Sequence, residues 1–306
     1  GVAMCAGIGL AVLFGFRTWP LRLPGLFWLL PLVALRPNTP LPGDARVTVL
    51  SVGQGTGVVV ETSQRTVVVD TGPQFGGAGA VDFTLAPYLR HQRRRRIDLA
   101  LVSHPDADHA SGIPRLQTAI GIDVLAGRPG KYGVAAFDCD PERHWRWDEV
   151  SFEWFAAPFA HGARPGRNNA SCLLRVCVAD RCVLLPGDVE RRAELALVLV
   201  GTELGADVLA SPHHGSRTSS TAEFISAVSP SWVIHSVSLN NRFGFPHESV
   251  IRRYASLNVR QLTTAKDGAV EIYLSSEGEL TVDAYKHRAL RFWHRFATGN
   301  WLDVEP

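Results

Sequence analysis

None of the five cysteines (Cys5, Cys139, Cys172, Cys177 and Cys182) stands at a CxxC or other zinc-knuckle spacing, so a thiolate metal site is not expected. No segment recurs with a period of roughly 20 to 50 residues, which removes solenoids and propellers. No apolar run reaches the roughly 20 residues that an uninterrupted membrane helix requires. An excess of charge of one sign is also missing. The 31 basic and 29 acidic side chains leave +2, too little to imply a nucleic-acid partner on its own. The exception is local: Arg90 and the run Arg93-Arg94-Arg95-Arg96 fall within seven residues. Such a run forms either a solvated face or, beside a metal loop, a holder for a polyanion.

At 306 residues the chain has room for one large α/β domain with an appendage, or for two domains. It starts with Gly1 and is read as beginning inside a longer protein. Residues 2–16 are apolar or small and uncharged, Arg17 and Arg22 interrupt, and residues 23–35 are apolar again, with Pro24, Trp28 and Pro31 among them. Residues 1–36 are therefore expected to be the end of a membrane region, with tryptophans and arginines at the flanks where interfacial anchors belong. A buried helix of a globular domain and a signal sequence without its start are the alternatives. Pro37-Asn38-Thr39-Pro40-Leu41-Pro42-Gly43 stops both helix and strand, so residues 37–44 read as a linker. An α/β domain is expected over residues 45–280, followed by a basic carboxy-terminal segment, residues 281–306, carrying an amphipathic helix from Tyr285.

Within that domain, residues 58–61 and 66–70 flank Ser63-Gln64-Arg65 as a hairpin. Residues 85–96 read as a helix and residues 97–102 as a buried strand. Residues 127–149 show no clear period; Trp145 and Trp147 among them are packing residues or base-stacking ones. Strands over residues 172–178 and 182–185, joined by a two-residue turn at Ala179-Asp180, would set Cys177 opposite Cys182. That spacing suits a disulfide or two reduced core thiols. A bridge would place the domain in an oxidising compartment.

The chemistry collects at strand ends. Ser103-His104-Pro105-Asp106-Ala107-Asp108-His109-Ala110-Ser111-Gly112 follows the strand at 97–102, and His104, Asp106, Asp108 and His109 fall within six residues. Pro105 and the alternating polar side chains disfavour a helix, so the ligands are expected on a loop at the carboxyl end of a strand, where α/β proteins place their sites. A lone histidine or aspartate there would be a turn or cap residue; four together need another reason. Two further strands end in the same way, Leu185 before Gly187-Asp188 and Ala210 before His213-His214-Gly215-Ser216. Asp70 also ends a strand, either to initiate a turn or to support the metal loop from behind. Such convergence suits a two-metal hydrolytic centre, with Asp188 as the bridging carboxylate that lowers repulsion between two cations.

In this order, HxDxDH, GD and HHGS resemble the metallo-β-lactamase superfamily, and more narrowly the carboxy-terminal domain of the ComEC competence proteins, DNA-uptake channels of transformable bacteria. Val52-Gly53-Gln54-Gly55, Val69-Asp70-Thr71-Gly72-Pro73, residues 168–171, residues 241–246 and Asp267-Gly268-Ala269-Val270 match as well. The resemblance spans residues 45 to 275. It implies an αββα four-layer sandwich, preceded by a membrane segment, with the metal site at one edge of the two sheets. It also implies a ligand set, with His104 and Asp106 on the first metal, Asp108 and His109 on the second, and Asp188 between them. His213 or His214 would complete the second. Asp106 stands where many members carry histidine; a carboxylate hardens that position, which suits manganese or magnesium as well as zinc. The superfamily usually has a histidine between the first loop and GD, and His161, Asn168 and Asn169 are the residues available for it. Phe245 replaces the histidine of a Gly-His-Pro segment, removing a phosphate contact or proton donor, and Ser51 and Thr56 replace aspartates. Asn169, Ser216 and Arg217 are candidate phosphate contacts, the alternative for Ser216 and Arg217 being a cap for the helix at Thr221.

The expected function is that of a metal-dependent phosphodiesterase, a nuclease domain of a DNA-uptake protein that hydrolyses DNA by metal-activated water. Asp108, His109 and Asp188 would carry the chemistry with two divalent cations. Other competence proteins would be its partners, at the bacterial inner membrane and with the domain on the outer, periplasmic face. A dinuclear lactonase or thioesterase is a second reading, since fold alone does not separate them. A non-catalytic DNA-binding module is the third, favoured by the departures at His161, Asn169 and Phe245.

Overall fold

The computed structural model describes residues 2–15, 19–34, 39–159 and 165–288. His161 and the expected helix beyond Arg288 lie outside the described residues. The chain divides into two compact units, Gly1–Asn38 and Thr39–Pro306.

In the first unit, helices Val2–Gly15 and Trp19–Ala34 pack as a pair through Gly9 and Gly25. A Cβ on either glycine would stand 2.8 Å from the other's carbonyl oxygen, so the crossing needs a residue without a side chain. Met4, Phe14 and Phe27 are exposed on this pair. At about 1.5 Å per residue the helices reach about 21 and 24 Å, against a hydrocarbon core of about 30 Å. No helix among the described residues is long and apolar enough to cross a membrane.

The second unit begins with β1 (Ala45–Val49), β2 (Val58–Glu61), β3 (Thr66–Val69) and a short ribbon of β4 (Gln74–Phe75) and β5 (Ala78–Gly79), then β6 (Ile97–Val102) and β7 (Ile122–Gly127). It continues with β8 (Arg143–Trp147), β9 (Val150–Ala156), β10 (Cys172–Val178), β11 (Arg181–Leu185), β12 (Val208–Ala210), β13 (Trp232–His235), β14 (Arg260–Thr263), β15 (Val270–Leu274) and β16 (Leu280–Ala284). One seven-stranded sheet has the order β16-β15-β1-β2-β3-β6-β7, and a second the order β14-β13-β12-β11-β10-β9-β8. Val47, Val60 and Leu101 of the first sheet share a core with Trp154, Leu174 and Val183 of the second. The outer face of the first sheet packs Val59, Val68 and Ala100 against Leu85, Leu89 and Leu116 from the helical segments. The outer face of the second packs Leu173, Leu184 and Leu209 against Leu197, Phe224 and Tyr254 of helices Arg191–Leu199, Ala222–Val228 and Glu248–Ser256. These are the four layers of an αββα sandwich. With both faces covered, β1, β2 and β3 are buried throughout; β2 and β3 therefore read as valine runs, while β1 still alternates, with Arg46 and Thr48 buried between its apolar residues.

Pairing direction makes the site. β3 and β6 are parallel, and so are β11, β12 and β13. All five therefore deliver their carboxyl ends to one edge of the sandwich.

Several expectations need correction. The helix expected over residues 85–96 ends at His91, and Arg93 takes φ 57°. The arginines then lie at the amino end of β6, and six residues at about 3.3 Å each put them about 20 Å from His104. Arg94 donates at 3.0 Å to the fully buried Glu61, and Arg96 pairs with Asp123, so the run braces the far end of the sheet and does not lie beside the metal loop. Trp147 is at that same far end, 5.6 Å from Arg65 of the β2–β3 turn, while Trp145 stacks on Phe152 at 5.1 Å. The ligand loop contains a one-turn helix, Ala107–Ala110, entered from Asp106 in extended conformation; Pro105 precedes that turn and does not prevent it. β16 extends the domain past residue 280 to Ala284 by pairing antiparallel with β15. Cys177 and Cys182 face each other in the β10–β11 register and are bridged, with a Cα separation of 4.2 Å. A second bridge, Cys139–Cys172, ties the aperiodic stretch to the start of β10 and was not expected.

Candidate metal centre

Asp70, at the end of β3, organises the first half of the centre. Its backbone is left-handed, φ 56°, which turns the carboxylate toward β6. There it accepts from Ser103 N at 2.8 Å, from Ser103 Oγ at 2.7 Å and from His109 Nδ1 at 2.7 Å. Ser103 has one hydroxyl proton, and Asp70 takes it. The 3.0 Å contact between Ser103 Oγ and His104 Nδ1 must then be donated by the imidazole. Both His104 and His109 thus turn an Nε2 lone pair toward the edge of the sandwich.

The second sheet supplies the other half. Gly187, at φ 58°, carries the chain so close to the ligand loop that a Cβ there would meet Ser103 Cβ at 2.9 Å and Ser171 Cβ at 3.0 Å. Asp188 follows and is almost fully buried among the imidazoles. Its Oδ1 lies 3.2 Å from His109 Nε2 and 3.6 Å from His214 Nε2; its Oδ2 lies 3.7 Å from His104 Nε2 and 3.8 Å from His213 Nε2. His213 and His214 both adopt left-handed backbone, φ 45° and 56°, a strained pair that splays the two rings apart. His214 Nδ1 donates to Ser236 O at 2.9 Å, leaving Nε2 3.2 Å from His109 Nε2 and 3.5 Å from Asp108 Oδ2. His213 goes the other way, with Nδ1 3.3 Å from Glu190 Oε1.

One tight group emerges, with a looser one beside it. Asp108, His109, Asp188 and His214 each offer a ligand atom within 4.8 Å of one another. On the other side of Asp188, whose Oδ2 faces His104 and His213, Asp106 Oδ2 lies 3.9 Å from His104 Nε2 and Asp106 Oδ1 accepts from Arg167 at 2.8 Å; these side chains are not drawn together as closely as the first four. The donor set fits divalent cations. His104 Nε2 is a buried nitrogen with no hydrogen-bond partner, and His109 and His214 point two Nε2 atoms at each other, which is repulsive unless a proton or a metal lies between ligands and carboxylate.

Electrostatics agree with that requirement. Burial alone would lower the His109 imidazole, but the Asp188 and Asp70 carboxylates outweigh it and raise its pKa well above the ordinary value. Burial would raise Asp188, yet the charges of His109 and His214 hold it well below the usual carboxylate range. Asp108 is likewise brought down to about 2, against its own burial, by the hydrogen bond from His214 and the charge of His109. His104 is lowered by burial first and by His109 second, so it stays neutral. Without metal, a proton on His109 satisfies the anionic cluster.

The remaining candidates are placed elsewhere. Asn169 is not aimed at the imidazoles: its Oδ1 accepts from Glu190 N at 3.2 Å and Ala193 N at 3.0 Å, capping the helix Arg191–Leu199 from outside, and its Nδ2 donates to Glu190 Oε2. Asn168 lies in the adjoining 3-10 turn and is half-buried. Ser216 Oγ closes a turn with Thr218 Oγ1 at 2.9 Å, and Arg217 is exposed. Glu190, Arg167, Ser103 and Ser236 were not picked out from the sequence. Glu190 had a signal, a second carboxylate two residues after the Gly-Asp pair, whereas the Ser236 carbonyl had none.

Residues 50–231 match the metallo-beta-lactamase superfamily. Over 295 residues the chain is 33% identical to Competence protein ComA of Neisseria gonorrhoeae, covering 95% of this chain and 40% of that protein. Over 230 residues it is 30% identical to Recombination protein 2 of Haemophilus influenzae, 74% of this chain and 28% of that protein. The chain thus spans well under half the length of these relatives. The structure of the CmlA beta-hydroxylase E377D mutant shares the fold, with a TM-score of 0.50 at 15% identity over 86% of this chain and 61% of that one. The metal-ligand order along the chain and the sandwich that gathers it have one source: the chain belongs to the metallo-beta-lactamase superfamily.

Proposed function

We propose that the chain is the metal-dependent phosphodiesterase domain of a DNA-uptake protein. The observation that carries this is the gathering of Asp108, His109, Asp188 and His214 within 4.8 Å of one another, with His104 and His213 facing the other Asp188 oxygen, in a chain similar to proteins named for competence and recombination. Zinc or manganese, with magnesium as a further fit, would supply Lewis acidity there and make water nucleophilic near neutral pH. The protein's own part is to hold geometry. Asp188 orients ligands of both positions, Asp70 fixes His109 and, through Ser103, His104, and the Ser236 carbonyl fixes His214. Asp108, His109 and Asp188 face the reacting phosphate.

The two disulfides support a periplasmic or other oxidising location for this domain. The apolar pair of helices in residues 1–36 supports attachment at the inner membrane, where DNA and other uptake proteins would meet it.

The purified chain, incubated with single-stranded DNA, duplex DNA and a model ester across zinc, manganese and magnesium, tests the reading. Cleavage of DNA that disappears in Asp108→Ala is the expected result. Ester turnover without DNA cleavage would instead make it a lactonase or thioesterase, and cation binding with neither activity a non-catalytic module.

A further inference from the structure

At the mouth of the centre, the loop after β13 carries a ladder of rings. Phe245 meets His213 edge to face, with centroids 5.7 Å apart at 72°. Phe243 stacks on Phe245 at 5.5 Å and 21°, and the guanidinium of Arg242 lies over Phe243 at 4.9 Å. The ladder thus runs from a ring of the centre out to solvent, where Phe243 is 51% exposed.

The loop is built to hold these rings still. Asn241 Nδ2 donates to Ser238 O at 3.2 Å and to Phe245 O at 2.7 Å, while its Oδ1 accepts from Phe245 N at 2.9 Å. On the far side His247 N donates to Gly215 O at 2.8 Å, tying the loop to the segment that carries His213 and His214. A half-exposed phenylalanine gains little by packing, and the Arg242 guanidinium over its ring is itself exposed, free to swing aside and leave a flat apolar face beside a positive charge. Nucleotides have that pairing, a π-face joined to a phosphate.

We propose that Phe243 and Phe245 are a stacking platform for an unpaired base flanking the phosphate at the metal centre, with Arg242 beside that nucleotide's phosphate, so that the site takes single-stranded DNA in preference to duplex. This rests on the phosphodiesterase reading and adds the substrate's form. In a duplex the base faces are covered by their neighbours, and the platform has nothing to stack on.

The test is fluorescence anisotropy of the full chain in chelator, so that nothing is cut, with labelled oligothymidylate, an abasic strand of the same length and a duplex of the same length. Phe243→Ala is expected to weaken binding of oligothymidylate about tenfold and to leave the abasic strand and the duplex unchanged; Phe243→Trp restores it. Far-UV circular dichroism checks that the half-exposed substitution keeps the fold. An equal loss on the abasic strand, no loss at all, or tighter binding of duplex by the wild-type chain would overturn the proposal. The two readings fail separately. Base-dependent binding by a chain that never cleaves DNA with metal sinks the phosphodiesterase and keeps the platform, whereas cleavage with unaltered binding in Phe243→Ala sinks the platform alone.

Discussion

The two proposed cation positions, the first at His104, Asp106 and His213 and the second at Asp108, His109 and His214, share Asp188 and differ in what stands behind them. Behind the second position, His109 leans on Asp70, which is 1% exposed, and His214 on a backbone carbonyl of the strand end. Behind the first, Asp106 is partly exposed and leans on Arg167, whose side chain is 74% exposed. His213 is 21% exposed, and Glu190, 3.3 Å from its Nδ1 without a hydrogen bond, is engaged by Asn169 and Thr218. Buried supports make one position stiff, and surface supports leave the other adjustable. Within one centre, cation affinity is set by the partners of the ligands as much as by the ligands.

The largest break is at the shared carboxylate. Asp188→Ala removes an oxygen from each position at once, so both cations should be lost together, and with them several kcal/mol of transition-state stabilisation, on the order of a thousandfold in rate. Metal content after dialysis and single-turnover cleavage read this out. Retention of one cation at wild-type affinity would mean that the positions are independent.

A smaller effect isolates the floor of the second position. His235 precedes Ser236 and is fully buried, and burial pushes its imidazole down to about 4. In the unfolded chain it titrates near 6.5, so between those values only the unfolded state takes up the proton. Stability is therefore intact above about pH 6.5 and is lost as pH falls toward 4, by up to about 3 kcal/mol. Denaturant unfolding at pH 7 and pH 5 should show a shallower pH slope in His235→Phe than in wild type. An unchanged slope would mean that His235 already binds its proton in the folded state.

What the sequence showed of this arrangement follows from burial. β6 and β10 were legible to the residue because strands covered on both faces are mostly apolar stretches between turns. β8 and β16 were not, since they are edge strands: Arg143–Trp147 is exposed or half-buried throughout, and only Ala284 of Leu280–Ala284 is buried. His104, Asp106, Asp108 and His109 were legible as a candidate cluster because they crowd one loop. The division of His213 and His214 between two positions depends on successive left-handed residues, which no non-glycine sequence announces. The capping role of Asn169 was not legible because its partner, the helix Arg191–Leu199, begins 22 residues later in the sequence.

The smallest effects test the stiffness contrast directly. Asn tolerates the left-handed backbone of position 70, so Asp70→Asn keeps the chain path, but it offers one acceptor oxygen where three donors converged. Its amide would face Ser103 or His109 with a donor, and His109 would lose its orientation; cation affinity at the second position should fall about ten- to a hundredfold. Arg167→Ala removes an exposed partner from Asp106, and exposed pairs contribute only about 0.2 to 1 kcal/mol, so the first position should weaken less than about fivefold. Calorimetric titration with manganese resolves the two. A larger loss from Arg167→Ala than from Asp70→Asn would reverse the contrast, and would mean that the surface arginine, not the buried aspartate, sets the tighter of the two positions.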